Sequence, residues 1–266
     1  MSTYSEEHKQ FLRKRKRNKI IVLFFQIAII VFFLAVWEIS ARMGWINTFL
    51  SSSPSKVIDT FCSLWQQNNL LNHIWITVYE TLISFWIALI IGFVVASILW
   101  WNKTIAKIVD PYLTVMNSLP KVALGPLIII WVGANTNSII FMALLISTFI
   151  TIINIYNGFI STNPYYVRLL QTLNAKKYQI FYKLIVPSNK NTIVNCLKIN
   201  ISMSLIGVIM GELLVSKEGL GYLIMYGSQV FNINLVITSV VILGIVSCIM
   251  YYIISCIEKK MIKNSS

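Results

Sequence analysis

Six blocks of apolar residues, each close to 20 residues long, recur along this chain of 266 residues and leave few folds open to it. A helix needs about 20 consecutive apolar residues to cross the roughly 30 Å hydrocarbon core of a bilayer. The blocks lie near Ile20–Ser40, Thr77–Trp101, Tyr112–Val132, Ile139–Ile160, Thr192–Val215 and Leu235–Ile257. Lipid offers no partner to an unpaired peptide group, so each block must bond its backbone internally as a helix. Only 12% of residues are charged and 57% are hydrophobic, about half the charge of an ordinary soluble domain. The expected fold is an all-α membrane protein of about six transmembrane helices.

The basic residues give this bundle a direction. Lys9 and the run Arg13–Lys19 precede the first block, and Lys103 and Lys107 follow the second. Arg168, Lys176, Lys177, Lys183, Lys190 and Lys198 follow the fourth, and Lys259, Lys260 and Lys263 follow the sixth. With six spans, all of these fall on one side. Of the 22 Lys and Arg, only Arg42, Lys56, Lys121 and Lys217 fall elsewhere. Positive loops stay in the cytoplasm, so both termini are expected there. The formal net charge of +13 is then a topological signal divided among helix flanks. It is not the basic face that a nucleic-acid partner requires. The first block is too long for a signal-peptide core, and Glu38 and Arg42 stand where a cleavage site would need small residues.

The expected organisation is a basic cytoplasmic tail (1–19), a membrane domain (20–258) and a second short tail (259–266). Residues 41–72 form a long external connection, with a turn at Ser53-Pro54 and an amphipathic helix starting near Ser55. Residues 102–110 read as a short internal loop and 133–138 as a tight external turn. The long internal loop, 161–191, holds YYVRLLQTLNAKKYQIFYKLIVP. Four cations keep it out of the bilayer, yet its apolar residues are too many for an idle linker. Asn163 followed by Pro164 is a helix start. A helix from there through Leu173 would carry Leu169, Leu170 and Leu173 on one side. Asn174 can turn the chain through left-handed dihedrals. A second helix, about Ala175–Ile185, should stop near Pro187.

Here the sequence resembles a known family. The loop is similar to the cytoplasmic signature of permease subunits of bacterial ATP-binding-cassette importers: Glu-Ala-Ala, three residues, Gly, nine residues, Ile-any-Leu-Pro. Arg168, Leu169 and Leu170 stand at the first three positions, Asn174 at the Gly, and Leu184, Val186 and Pro187 at the close. Trp37-Glu38, the Ser53-Pro54-Ser55 turn, SLPKVALGPLIIIWVGANTNS (118–138) and GELLVSKEGLGYLI (211–224) resemble further landmarks, in order, of the nitrate/sulfonate/taurine type. The resemblance implies a type I importer permease with a coupling helix between helices 4 and 5. It also implies a cytoplasmic ATPase dimer as partner, a second permease subunit (a homodimer), and an extracytoplasmic solute-binding protein. ATP and Mg would sit on the ATPase, with no cofactor on this chain. Arg168, Leu169, Leu170, Leu173, Asn174, Lys176, Lys177, Tyr178 and Pro187 become the ATPase-coupling candidates. Leu169, Leu170, Leu173 and Tyr178 would be the buried anchor, and the cations its rim.

Ionisable and helix-breaking residues inside spans mark the candidate solute path. Pro120, Gly125 and Pro126 should break the third span, and the freed backbone can line a wet cavity. Asn117, Ser118, Pro120, Lys121 and Gly125 are the path candidates, with Glu212 near the outer end of the fifth span. Lys121 suits an anionic solute, or else pairs within the bundle. Glu38 and Glu80 flank spans and read as interfacial, and His73 as a headgroup-level residue. Two distant histidines and the scattered Cys62, Cys196, Cys248 and Cys256 have no metal spacing. No GxxxxGK[ST] loop is present, so no catalytic residue is expected here and any ATPase belongs to a partner. The expected function is half of the import path for a small, anionic or vitamin-precursor-like solute. The alternative is a stand-alone carrier or channel, which would call for a charge relay or inverted halves.

Overall fold

In the computed structural model, residues 6–67 and 69–263 are described, and every regular element among them is helical. The ends of both expected tails, 1–5 and 264–266, lie outside the described residues. The chain divides into two compact units, one up to Ser63 and one from Leu64.

The first unit holds α1 (Glu6–Arg42), the single turn α2 (Thr48–Ser51) and most of α3 (Pro54–Gln66). Its landmarks meet in one contact. Glu38 Oε1 accepts from Arg42 Nε at 2.7 Å and from Ser55 Oγ at 2.6 Å, while Oε2 accepts from Ser55 N at 3.1 Å. The Trp37-Glu38 and Ser53-Pro54-Ser55 signatures are thus two halves of one clasp between the end of α1 and the start of α3.

The second unit continues with α4 (Leu70–Trp101), α5 (Lys103–Ser118), a 3-10 turn (Lys121–Leu124), α6 (Gly125–Val132) and α7 (Thr136–Ile160). Then come α8 (Pro164–Thr172), α9 (Lys177–Ile180), a π turn (Phe181–Ile185) and α10 (Val186–Ser188). The chain closes with α11 (Lys190–Val215), α12 (Leu220–Gln229) and α13 (Ile233–Lys263). Helices α1, α4, α7, α11 and α13 are long and apolar enough to cross a bilayer, and the pair α5 and α6, bent by 85°, brings the number to six when counted as one broken span. The expected loop at 102–110 is helix instead. Asn102 alone turns the chain, capping α5 by accepting from Thr104 N and Ile105 N. The polar Lys103–Asp110 stretch is one face of an amphipathic helix rather than a linker.

The centre of the unit is α7, packed between α4 and α11. Polarity is inverted relative to a soluble helix. The buried face of α4 carries Thr77, Thr81, Ser84, Ala88, Gly92 and Ala96, and its exposed face carries Trp86, Ile90, Val94 and Ile98. Small residues inside let backbones approach in a medium where large apolar residues gain nothing by leaving lipid. A Cβ on Gly207 of α11 would stand 3.0 Å from Ala143 Cβ, and one on Gly211 would stand 2.8 Å from Ile139 Cα, both on α7. Ser147 and Thr151 return their hydroxyl protons to carbonyls one turn back, so these two polar side chains stay bonded within the interface.

A side chain at Gly207 must push these two helices apart, and overpacking of this kind costs about 1–3 kcal/mol. We expect Gly207→Leu to lower the detergent-solubilised unfolding midpoint by several degrees. Gly244→Leu on α13, where a Cβ meets nothing within 4 Å, should leave it unchanged. Equal behaviour of the two variants would refute close packing at α7–α11.

Candidate functional site

Three places carry the polar and exposed groups that the spans do not need. The first is the segment between α7 and α11. Asn163 caps α8 by accepting from Tyr165 N at 2.9 Å, with Pro164 at the first helical position. The helix ends in a Schellman turn. Ala175 N donates to Leu170 O and Asn174 N to Gln171 O, both at 3.0 Å, with Asn174 at φ 58°. Such a turn needs a residue that tolerates positive φ, and Asn supplies it where a Gly would otherwise stand.

The expected common face of Leu169, Leu170 and Leu173 is split. Leu170 packs inward with Val167 and Ala175 onto a cluster of Ala96, Ile155, Phe159, Phe181 and Ile185. Leu169, Leu173 and Tyr178 point outward and are 45%, 69% and 50% exposed. A helix turns about 100° per residue, so neighbours 169 and 170 cannot share a face. Phe181 fastens the segment to the bundle, with its ring 5.0 Å from Trp100 and 5.5 Å from Phe159. Trp100 is therefore part of this joint. Lys177, expected on a partner-facing rim, is exposed, but its ammonium reaches back to the end of α4. Its ammonium donates to Trp101 O and lies 5.8 Å from the rings of Trp100 and Trp101. Arg168 and Lys176 are exposed.

The helical segment stops one residue past Pro187, at Ser188, but Pro187 itself is helical. Pro187 sits within α10, and the preceding turn widens to π geometry, with Val186 N bonding Phe181 O. The wider turn accommodates a residue that has no N–H to donate. Only at Asn189 does the chain bend into α11. Lys198, counted with the internal loop, is a residue of α11 and pairs with Glu258 of α13 while facing Tyr251.

The second place is the broken span. Asn117, Ser118 and Pro120 are exposed, and Lys121 is half-buried. Lys121 Nζ donates to Asn117 O at 2.9 Å, satisfying a carbonyl that the break at Pro120 leaves open. Gly125, placed on the path by sequence, is buried against Leu214 and Met142. Its lack of a side chain serves packing, not an open surface.

The third place surrounds Glu212, at the far end of α11 from α8. Glu212 is 1% exposed, so it does not line an open path either. Its Oε1 accepts from Thr77 Oγ1 and its Oε2 from Gly221 N, each at 2.6 Å. Thr77 Oγ1 in turn accepts from Leu220 N at 2.9 Å, and His73 Nδ1 accepts from Gly219 N at 3.0 Å. Gly219 has φ 106°, and a Cβ there would lie 2.6 Å from Glu212 Oε2. The GELL…GLG spacing is thus one device: a carboxylate that holds a loop whose glycines leave room for it. Glu80, read as interfacial, is instead 1% exposed beside Glu212 and within reach of Thr136. His73 is likewise a loop holder. Thr77 and Glu80, three apart on α4, share the helix face that meets this loop. That spacing was the available sequence signal for both. No group of three metal-ligating side chains exists among the described residues.

Polytopic helices, a broken span and a rigidly docked amphipathic loop define a membrane transport subunit. Residues 88–263 match the binding-protein-dependent transport system inner membrane components, and the chain belongs to that family, the non-catalytic permeases of ATP-binding-cassette importers. The formylaminopyrimidine transport permease of Halalkalibacterium halodurans is 31% identical over 189 residues, covering 71% of this chain and 75% of that one. A Bacillus subtilis permease assigned to aliphatic sulfonates is 24% identical, covering 86% of this chain and 83% of its own. Among solved structures, the inward-facing methionine transporter MetNI superposes with TM-score 0.64 at 18% identity, covering 76% of this chain and 98% of that one. A bacterial alginate importer gives 0.65 at 14%, covering 94% and 99%. The type I importer permease fold expected from the sequence is the fold observed.

The Glu212 contacts lead to an expectation of their own. Removing the shared acceptor leaves buried donors unsatisfied, at a cost of about 1–3 kcal/mol each. Glu212→Ala should release the 216–221 loop, lower the unfolding midpoint and open Lys217 to trypsin. Glu212→Gln, which keeps one acceptor, should do so less. Unchanged trypsin cutting in the Ala variant would show that the loop is held by something else.

Proposed function

We propose that this chain forms half of the translocation path of an ATP-driven importer and pairs with a second copy of itself. In this reading both termini and α8 lie in the cytoplasm, where a separate ATPase dimer, carrying the ATP and Mg, grips the loop. A solute-binding protein on the opposite side delivers a small, anionic or vitamin-precursor-like solute to the broken span. The substrates that the relatives are named for, a formylaminopyrimidine and aliphatic sulfonates, are consistent with that range.

One observation carries this reading. Leu169, Leu173 and Tyr178 are exposed on a short, doubly capped segment whose opposite side is clamped to the bundle through Leu170 and Phe181. An exposed apolar edge on a rigid support fits a protein partner, because displacement applied at that edge passes to α4, α7 and α11 instead of being absorbed. Apolar anchors in such an interface are worth about 2 kcal/mol or more each. Leu169→Asp with Leu173→Asp should therefore abolish co-purification of the ATPase subunit while the permease stays inserted and monodisperse. Leu170→Asp should instead damage the permease itself. Retention of the ATPase by the double variant would remove the coupling role.

Lys121 supports the solute side of the reading. Its ammonium uses one of three donors on Asn117 O, which leaves two for an anion at the break. In proteoliposomes, Lys121→Ala should reduce uptake of an anionic solute about ten-fold, equivalent to about 1.4 kcal/mol, with Lys121→Arg retaining most of it. Normal uptake in the Ala variant would leave Lys121 as a helix cap only.

A further inference from the structure

Behind α8 lies a cavity of about 660 Å³ that the coupling reading does not use. Lys103, Arg168 and Lys177 line it together with Trp100, Tyr156 and Gln171, and its lining contains no Asp or Glu. The nearby acid, Asp110, acts on Tyr156 from outside that lining. Three cations without a counter-charge describe an anion receptor. One of them is already fixed in place: Lys177 is held by Trp101 O and by the two indole rings.

A second feature adjoins it. An apolar groove of about 370 Å³ runs along α4 past Phe93, Val94, Ser97, Ile98 and Trp101, closed on one side by Phe181 and Tyr182. At 1.5 Å per residue its length along α4 is about 12 Å. The Trp100–Phe181–Trp101 joint forms the wall common to both spaces, with ring separations of 5.0 and 5.9 Å. Trp101, Ile98 and Val94 are exposed, so the groove opens on the lipid-facing side of the span.

A basic cavity at the end of a span, separated by a single aromatic joint from an apolar groove on the same helix, suits an amphiphile with an anionic head. We propose that this site binds an anionic glycerophospholipid of the cytoplasmic leaflet. Its phosphate would lie among Lys103, Arg168 and Lys177, and one acyl chain along α4. A free anion would use the cavity but has no need of the groove. A neutral lipid would use the groove but leave three cations uncompensated. Basic pockets between spans on the cytoplasmic side capture anionic headgroups in this way. The bound lipid would fill the space between α8 and the α4–α5 corner and so stiffen the support behind the exposed leucines. The leaflet assignment shares the cytoplasmic placement of α8 with the proposed function, but binding itself can be measured on the permease without any ATPase.

The test uses purified full-length permease in neutral detergent, with acyl-brominated phosphatidylglycerol and phosphatidylcholine as quenchers of tryptophan fluorescence. The phosphatidylglycerol should quench at a lower mole fraction than the phosphatidylcholine. Each of Lys103→Gln and Lys177→Gln should weaken that preference about five-fold, and Lys107→Gln, outside the lining, should not. Ser97→Trp, which fills the groove, should displace the lipid even with the cations intact. Excess glycerol phosphate should not compete. Equal quenching by the two lipids, a preference that survives in the Lys103→Gln/Lys177→Gln double variant, or full displacement by glycerol phosphate would each overturn the proposal. Loss of ATPase binding in the leucine variants with lipid binding intact would separate the two claims.

Discussion

The close approach of α4, α7 and α11 is the constraint on which the remaining features depend. In a bilayer, large apolar side chains gain nothing by turning inward, so attraction between helices comes from backbone proximity and satisfied polar atoms. Gly92 against Thr151, Gly207 against Ala143 and Gly211 against Ile139 create that proximity. Asn200 reinforces it by donating to Phe85 O across the α4–α11 contact at 3.2 Å. With three helices locked at short distance, their ends become fixed points. The loop joining α7 to α11 is held at one end, and the loop following α11 at the other.

Those two ends are built by opposite chemistry. At the α8 end the fastening is aromatic and apolar, with Phe181 set among Trp100, Trp101 and Phe159. Contacts of this kind tolerate small sliding while resisting separation. At the far end the fastening is directional. Glu212, Thr77 and His73 bind three successive backbone N–H groups, those of Gly219, Leu220 and Gly221. That loop is fixed in orientation as well as position. In the proposed function one end receives mechanical work and the other solute, which gives a use to both properties, and the same three helices connect them.

The broken span fits between these ends. Pro120 and Pro126 each remove a backbone donor, which disfavours a continuous helix through residues 118–126. The 3-10 turn and the 85° bend are the outcome, and Lys121 answers the open carbonyl of Asn117. The kink thus exposes backbone and an ammonium in a segment that packs only lightly against α4, α7 and α11.

Sequence alone determined the helical class, a count of about six spans, the family resemblance and the local turns at Asn163-Pro164 and Asn174. Each of these depends on composition over about 20 residues or on dihedral preferences within four. It could not decide which residues of a short amphipathic loop face inward. Leu169 and Leu170 are equally apolar, and only the position of Phe181, delivered by a π turn before Pro187, selects Leu170 for the bundle. Nor could it place Glu80 and Glu212 together, or turn Lys177 from a partner-facing rim onto Trp101 O. Those pairings join residues more than 70 positions apart in the chain. They exist because close helix packing brings distant segments to the same depth, which is a property of the assembled bundle and of no single stretch within it.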